Sequence, residues 1–113
     1  MPDPMRGEIW FVDLAPIRGH EQGGTRPCLI ISADLFNHGP ADLVIVVPIT
    51  SRDKGIRSHV RIDPPEGGLR TPSFVKAEDI RSVSKARLLH RSGLVLPFTL
   101  NTVLEQLRIL LDL

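Results

Sequence analysis

A chain of 113 residues with 42% hydrophobic side chains suits one domain over 1–113, with 1–5 as a flexible N-terminal extension, and leaves no room for two cores. A net charge of +1 excludes a protein that coats nucleic acid by charge alone, and a single cysteine, Cys28, excludes an internal disulfide. No apolar run approaches a membrane span, Met1 to Pro4 has no basic segment leading an apolar core, and no Cys or His pair has metal-ligand spacing, so the chain reads as cytoplasmic, soluble and metal-free.

Ile9 to Leu14 is rich in β-branched and aromatic residues and stops at Pro16, which predicts a strand with Trp10, Val12 and Leu14 on one side and Ile9 and Phe11 on the other. Both sides are apolar, so Trp10 and Phe11 are expected in the core of a tightly folded small sheet. Pro27 to Ile31 is the second strand, with Cys28 as a small core residue. A connection through Asp34 and Asn37 to Pro40 follows, with a helical turn around Leu35 and Phe36. Leu43 to Ile49 is the most apolar segment and belongs in the centre of the sheet, with Pro48 marking an end or a bulge because it has no N–H for a ladder.

A flexible basic loop, Arg52 to Ser58, then separates it from a strand over His59 to Asp63, a turn at Pro64 to Gly68, short strands at Ser73 to Ala77 and Ser82 to Ser84, and a turn at Glu78 to Ile80 between them. The tail changes period. Leu100, Val103, Leu104, Leu107, Leu110 and Leu111 share one helical face, with Thr99 available as a cap after Pro97. Ile109 and Leu113 widen that apolar surface and point to burial against a second copy of the chain. Five or more short strands and one terminal helix predict a mainly β fold, a small antiparallel barrel or half-barrel with a C-terminal α-helix.

Functional chemistry concentrates in Gly19-His20-Glu21-Gln22-Gly23-Gly24-Thr25-Arg26-Pro27, where glycines alternate with a histidine, a carboxylate, an amide and an arginine at the mouth of a strand. Gly23, Gly24 and Pro27 shape the loop, and the Gly24 backbone amide is a further candidate for holding phosphate. The third strand delivers Thr50 and Ser51 to its own mouth. Basic charge is local: Arg52, Lys54, Arg57 and Arg61 form one cluster, interrupted by Asp53, and Arg81, Lys85, Arg87, His90 and Arg91 form another in a stretch without acids. Each suits phosphate binding or a solvated surface. Phe36 is the candidate for stacking on a base, although 4% aromatics and no tyrosine offer few such platforms.

Met5-Arg6-Gly7-Glu8-Ile9-Trp10, the Gly19–Pro27 loop and Val47-Pro48-Ile49-Thr50-Ser51, in this order and spacing, resemble the MazF/PemK/Kid family of toxin endoribonucleases, and Ser73 to Arg81 aligns as well. The resemblance implies an SH3-like barrel, a homodimer with its substrate groove at the dimer interface, metal-independent cleavage of single-stranded RNA or mRNA at short sequences, and inhibition by a cognate antitoxin. It implies Arg26 and Thr50 as the functional pair. Where Kid-like members carry an arginine and an aspartate in the late strand, this chain has Lys76 and Glu78, which either touch substrate or form an exposed ion pair.

Cleavage without a metal most simply uses the 2′-hydroxyl as nucleophile, giving a 2′,3′-cyclic phosphate and a 5′-hydroxyl. Arg26 suits the charge of the phosphorane, because its fork of donors stays protonated and cannot serve as the base. Thr50 donates a hydroxyl to the same phosphate. His20 is a candidate acid or base that Glu21 would orient, and Gln22, Ser51, Arg52, Lys54, Lys76 and Glu78 are candidates for holding the strand. The loop Arg52 to Ser58 is expected to border the groove and to order on binding RNA or an acidic, extended antitoxin segment. A competing class on a similar barrel is a non-catalytic toxin or binding module, such as a gyrase poison of the CcdB type. A third is a homologue that binds RNA without cutting it.

Overall fold

The computed structural model describes residues 3–15 and 24–113. Its elements are β1 (Glu8–Asp13), β2 (Thr25–Ile30), the single turn α1 (Asp34–Asn37), β3 (Leu43–Thr50), β4 (His59–Ile62), β5 (Ser73–Lys76), β6 (Arg81–Ser84), β7 (Leu88–Leu94) and α2 (Pro97–Leu111). Short 3-10 turns lie at Glu66–Gly68, Ala77–Asp79 and Lys85–Arg87. Seven strands form one antiparallel sheet in the order β4-β5-β3-β2-β1-β7, with β6 also on β3. The sheet is not closed: β4 and β7 end the strand order, so the half-barrel form of the expectation is the one observed. Among the described residues no helix is long and apolar enough to cross a membrane.

Side-chain alternation sorts the apolar residues into two cores. Trp10, Val12 and Leu14 pack with Cys28, Ile30, Val44, Val46, Val83 and Leu88 on one side. Ile9, Leu29, Val47, Ile49, Ile62 and Val75 pack on the other, beneath Val103 and Leu107 of α2. Each fully buried side chain of this size stabilises the fold by about 1.5–3 kcal/mol relative to exposure. Cys28 is fully buried, and loss of hydration pushes its thiol up to about 12, as befits an inert core residue.

Four features differ from expectation. β3 runs through Pro48 to Thr50 without ending or bulging there: β6 pairs with Leu43 to Val46, β5 pairs with Ile49 and Thr50, and Pro48 falls in the gap between the two partners. β7 has no counterpart in the sequence reading, because it is an edge strand whose Leu89, His90 and Arg91 face solvent and hide its period. Helix α2 starts at Pro97, ahead of the expected Thr99 cap; the Leu96 N–H donates to Glu66 Oε2 at 2.9 Å, and Thr99 is buried instead. Finally, Leu110 and Leu111 continue the helical stripe but are exposed, together with Ile109 and Leu113, rather than packed on the sheet core with Val103 and Leu107.

The N-terminal segment is held from Pro4 onward, which is buried and accepts a contact from His38 Nε2 at 3.1 Å. Glu8 then fastens the entry to β1. Its Oε1 accepts from the Met5 N–H at 2.7 Å and the Trp10 indole at 3.1 Å, while Oε2 accepts from Arg91 Nε of β7.

Candidate functional site

The sheet face that α2 covers at one end is open at the other. Phe11 pairs with Pro27 on one side and His90 on the other, and the β2–β3 register, Cys28 opposite Pro48, continued by one residue sets Pro27 opposite Ile49. These residues floor a groove of about 1020 Å³. Continuing the register by one more residue brings Arg26, near the start of β2, opposite Thr50, the last residue of β3. Residues opposed in this way have Cβ atoms about 4.5–5.5 Å apart.

Both side chains line the groove. Among the described residues the exposed Arg26 makes one long contact, from Nη1 to its neighbour's carbonyl at 3.4 Å, which leaves its guanidinium free of any ion pair with them and available to an anion. Thr50 Oγ1 accepts from the Arg52 N–H at 3.2 Å, which leaves the hydroxyl proton to be donated outward. The same bond bends the chain so that Ser51, Arg52 and Lys54 join the lining.

The opposite wall depends on glycine. The 3-10 turn Glu66–Gly68 lies directly on β7: a Cβ on Gly68 would stand 2.2 Å from the Ser92 carbonyl oxygen, and one on Gly93 would stand 2.5 Å from the Gly67 carbonyl carbon. Gly68 also has φ +75°. Backbone therefore meets backbone with no side chain between, and the turn delivers Leu69, Arg70 and Thr71 to the groove. Arg70, Thr71, Ser73, His90 and Ser92 are lining residues that sequence reading did not assign to the site. His90 was visible only as one member of a basic run.

Of the expected site residues, Arg26, Thr50, Ser51, Arg52, Lys54 and Lys76 line the groove. His20, Glu21 and Gln22, with Gly19 and Gly23, lie outside the described residues. Gly24 does not line it; at φ +71° its carbonyl accepts from the Leu14 N–H at 2.9 Å and fastens the neck of the connection between β1 and β2. Glu78 also falls outside the lining. Its Oε1 accepts from the Ser58 hydroxyl and its Oε2 meets His59 Nε2, each at 2.7 Å, so it anchors the far end of the basic loop. Burial raises its pKa, but the hydrogen bonds from Ser58 and His59 outweigh that and hold it below the ordinary carboxylate value.

Lys76 is buried rather than exposed, and pairs with Asp79 at 2.8 Å instead of Glu78. Phe11 is half-buried and faces the groove rather than the core, whereas Phe36 lies on α1 away from it.

Residues 5–111 match the pattern described as "PemK-like, MazF-like toxin of type II toxin-antitoxin system". The chain belongs to this PemK/MazF toxin family. Its curated relatives include Endoribonuclease MazF9 of Mycobacterium tuberculosis, 38% identical over 96% of each chain, and Endoribonuclease PemK of Escherichia coli, 40% identical over 96% of this chain and 83% of the other. Among solved structures, MazF from Deinococcus radiodurans superposes over 100% of both chains with a TM-score of 0.89 at 30% identity. A mycobacterial endoribonuclease in complex with its cognate antitoxin matches with a TM-score of 0.77 at 28% identity, over 100% of this chain and 97% of the other.

In this PemK/MazF domain the second basic cluster is largely spent on structure. Lys85 is buried and donates to the Asn37 carbonyl at 2.7 Å; Arg87 Nη1 donates to the carbonyls of Asp13 and Ala15; Arg91 is paired with Glu8. The cations of the groove come instead from Arg26, Arg52, Lys54, Arg70 and Lys76.

Proposed function

We propose that this chain is the toxin of a toxin–antitoxin pair and an endoribonuclease that cuts single-stranded RNA at short sequences without a metal ion. The observation that carries the reading is that Arg26, near the start of β2, and Thr50, at the end of β3, line one groove whose remaining cations suit a phosphodiester backbone. The names of the relatives, endoribonucleases at 38% and 40% identity, support the same activity. In the reaction, the 2′-oxygen bonds to phosphorus as its proton passes to a base. The added negative charge of the phosphorane rests on the Arg26 guanidinium and the Thr50 hydroxyl. The bond to the 5′-oxygen breaks as that oxygen takes a proton, leaving a 2′,3′-cyclic phosphate and a 5′-hydroxyl.

We assign proton transfer to His20, oriented by Glu21, and strand binding to Gln22, Ser51, Arg52, Lys54, Arg70 and Lys76. The active form is a homodimer, a reading supported by the exposed Ile109, Leu110, Leu111 and Leu113 at the end of α2. An acidic, extended segment of a cognate antitoxin competes with RNA for the groove, and the loop from Arg52 to Ser58 orders on binding either. The solved complex of a mycobacterial endoribonuclease with its antitoxin supports such a partner. The site of action is the cytoplasm. The test is incubation with mixed-sequence RNA in EDTA: fragments with cyclic-phosphate ends are expected, and their absence, or cleavage only with added metal, overturns the mechanism.

A further inference from the structure

Phe11 and His90 form a stacked pair on the floor of the groove, with ring centroids 4.7 Å apart and planes inclined by 20°. The strand register sets them opposite each other on β1 and β7, and Pro27 lies beside Phe11 on β2. Three rings from three neighbouring strands thus form one strip. Alternation explains why this strip faces outward. Trp10, one residue before Phe11, turns into the core with its indole N–H on Glu8, and Arg91, one residue after His90, is held by the same carboxylate. The Glu8 clamp therefore ties β1 to β7 at the residues flanking the pair and leaves the rings themselves in the groove.

The two rings are not equivalent. Phe11 is half-buried and serves as the backing, whereas His90 is exposed, and no described residue hydrogen-bonds its imidazole. A flat, preordered ring on a β-sheet, beside a groove lined by arginine and lysine, is the arrangement by which single-stranded nucleic acids are held: cations follow the phosphates and aromatic faces take the bases. Phe11 fixes the plane of His90 in advance, so little side-chain freedom remains to be lost on binding.

We propose that His90, backed by Phe11, is a nucleobase seat: a base of the RNA strand stacks on the open face of the imidazole. This rests on the groove being the RNA-binding site. It gives His90 a role in holding substrate rather than in moving a proton.

The test uses full-length protein with His90→Ala, His90→Phe and His90→Gln, after thermal melts confirm that each is folded. Binding is read with a fluorescent RNA oligonucleotide carrying a 2′-deoxy residue at the cleavage site, and turnover with the all-ribose version. A stacked base contributes about 5- to 150-fold in affinity, so His90→Ala and His90→Gln should weaken binding by that factor while kcat is retained, and His90→Phe should bind as the parent does. Replacing bases one at a time by an abasic spacer should find one position whose loss weakens the parent but not His90→Ala. Three results overturn the proposal: unchanged binding in His90→Ala, a defect in His90→Phe equal to that in His90→Ala, or loss of kcat in all three variants at unchanged affinity, which would make His90 a proton-transfer group. Failure of the parent to cut the all-ribose strand would instead refute the functional reading, and is seen separately from the binding arm.

Discussion

Replacing Glu78 by alanine separates a positioning role from a chemical one. Its carboxylate joins Ser58 and His59, each at 2.7 Å, to the 3-10 turn Ala77–Asp79, which is itself fixed by buried Ala77 and by the Lys76–Asp79 ion pair. The tethered loop carries Arg52 and Lys54 into the groove, and its other end is held by Thr50 Oγ1. Hydrogen bonds to a charged group contribute about 1.5–3 kcal/mol each when well shielded. Glu78 keeps 32% of its side chain in water, so the two together should hold the loop by about 1–2 kcal/mol. Glu78→Ala should therefore raise hydrogen exchange in residues 52–58 by about 5- to 30-fold. KM for RNA should rise in step and kcat should change less. Glu78→Gln can still accept from His59 and donate to the Ser58 hydroxyl, so it should restore both loop protection and KM. Unchanged loop exchange with a collapse of kcat in both variants would refute the anchor and make Glu78 an acid or base.

Arg26→Ala should lower kcat about 10²- to 10³-fold, as expected for loss of a group that stabilises developing charge, and Arg26→Lys should recover little because the fork is lost. Thr50→Ala should lose kcat without changing the melting temperature; rapid-quench assays on a defined RNA read both, and full activity in either alanine variant would misplace the site. Gly93→Ala sets a Cβ 2.5 Å from backbone and should cost more than about 2 kcal/mol in urea unfolding, whereas Gly24→Ala meets none of the described residues within 4 Å and should cost only the left-handed backbone strain of about 1–2 kcal/mol. Burial raises the pKa of Glu8, but hydrogen bonds from Met5, Trp10 and Arg91 outweigh it, and Glu78 is held low in the same manner. A carboxylate whose folded value is depressed stabilises the fold fully above its ordinary value of 4.5, and that contribution is lost as pH falls through the lower folded value. Unfolding measured at neutral pH and below 4.5 should show this loss, and Glu8→Gln should flatten it.

Strands with two apolar faces were legible from composition alone, because β1, β2 and β3 are buried on both sides and need no alternation to betray them. That Arg26 and Thr50 stand at strand mouths was legible for a related reason, since each lies at the end of an apolar strand, and both line the groove; their pairing as functional residues is what the family resemblance implies. β7 was not, since an edge strand with exposed Leu89, His90 and Arg91 carries no period. The wall from Gly67 to Thr71 was hidden as well, because it exists only through the approach of Gly68 to Ser92, far apart in sequence. Charge misled where it was counted without partners. Lys85 and Arg87 satisfy backbone carbonyls that no sequence pattern brings near them, and Lys76 found Asp79 one turn away.

The strand order has a consequence during synthesis. β1 is made first, yet its outer partner β7 is the last strand to leave the ribosome, and β3 waits for both β5 and β6 before its second side is paired. Until residue 94 has emerged, Phe11 has no His90 beside it, and Arg70 and Thr71 have no β7 against which their turn can rest. A nascent chain truncated before β7 therefore holds Arg26 and Thr50 but no groove. The groove is thereby among the last features of the sheet to be assembled, because its floor and one wall wait for the strand that pairs with β1 from the far end of the sequence.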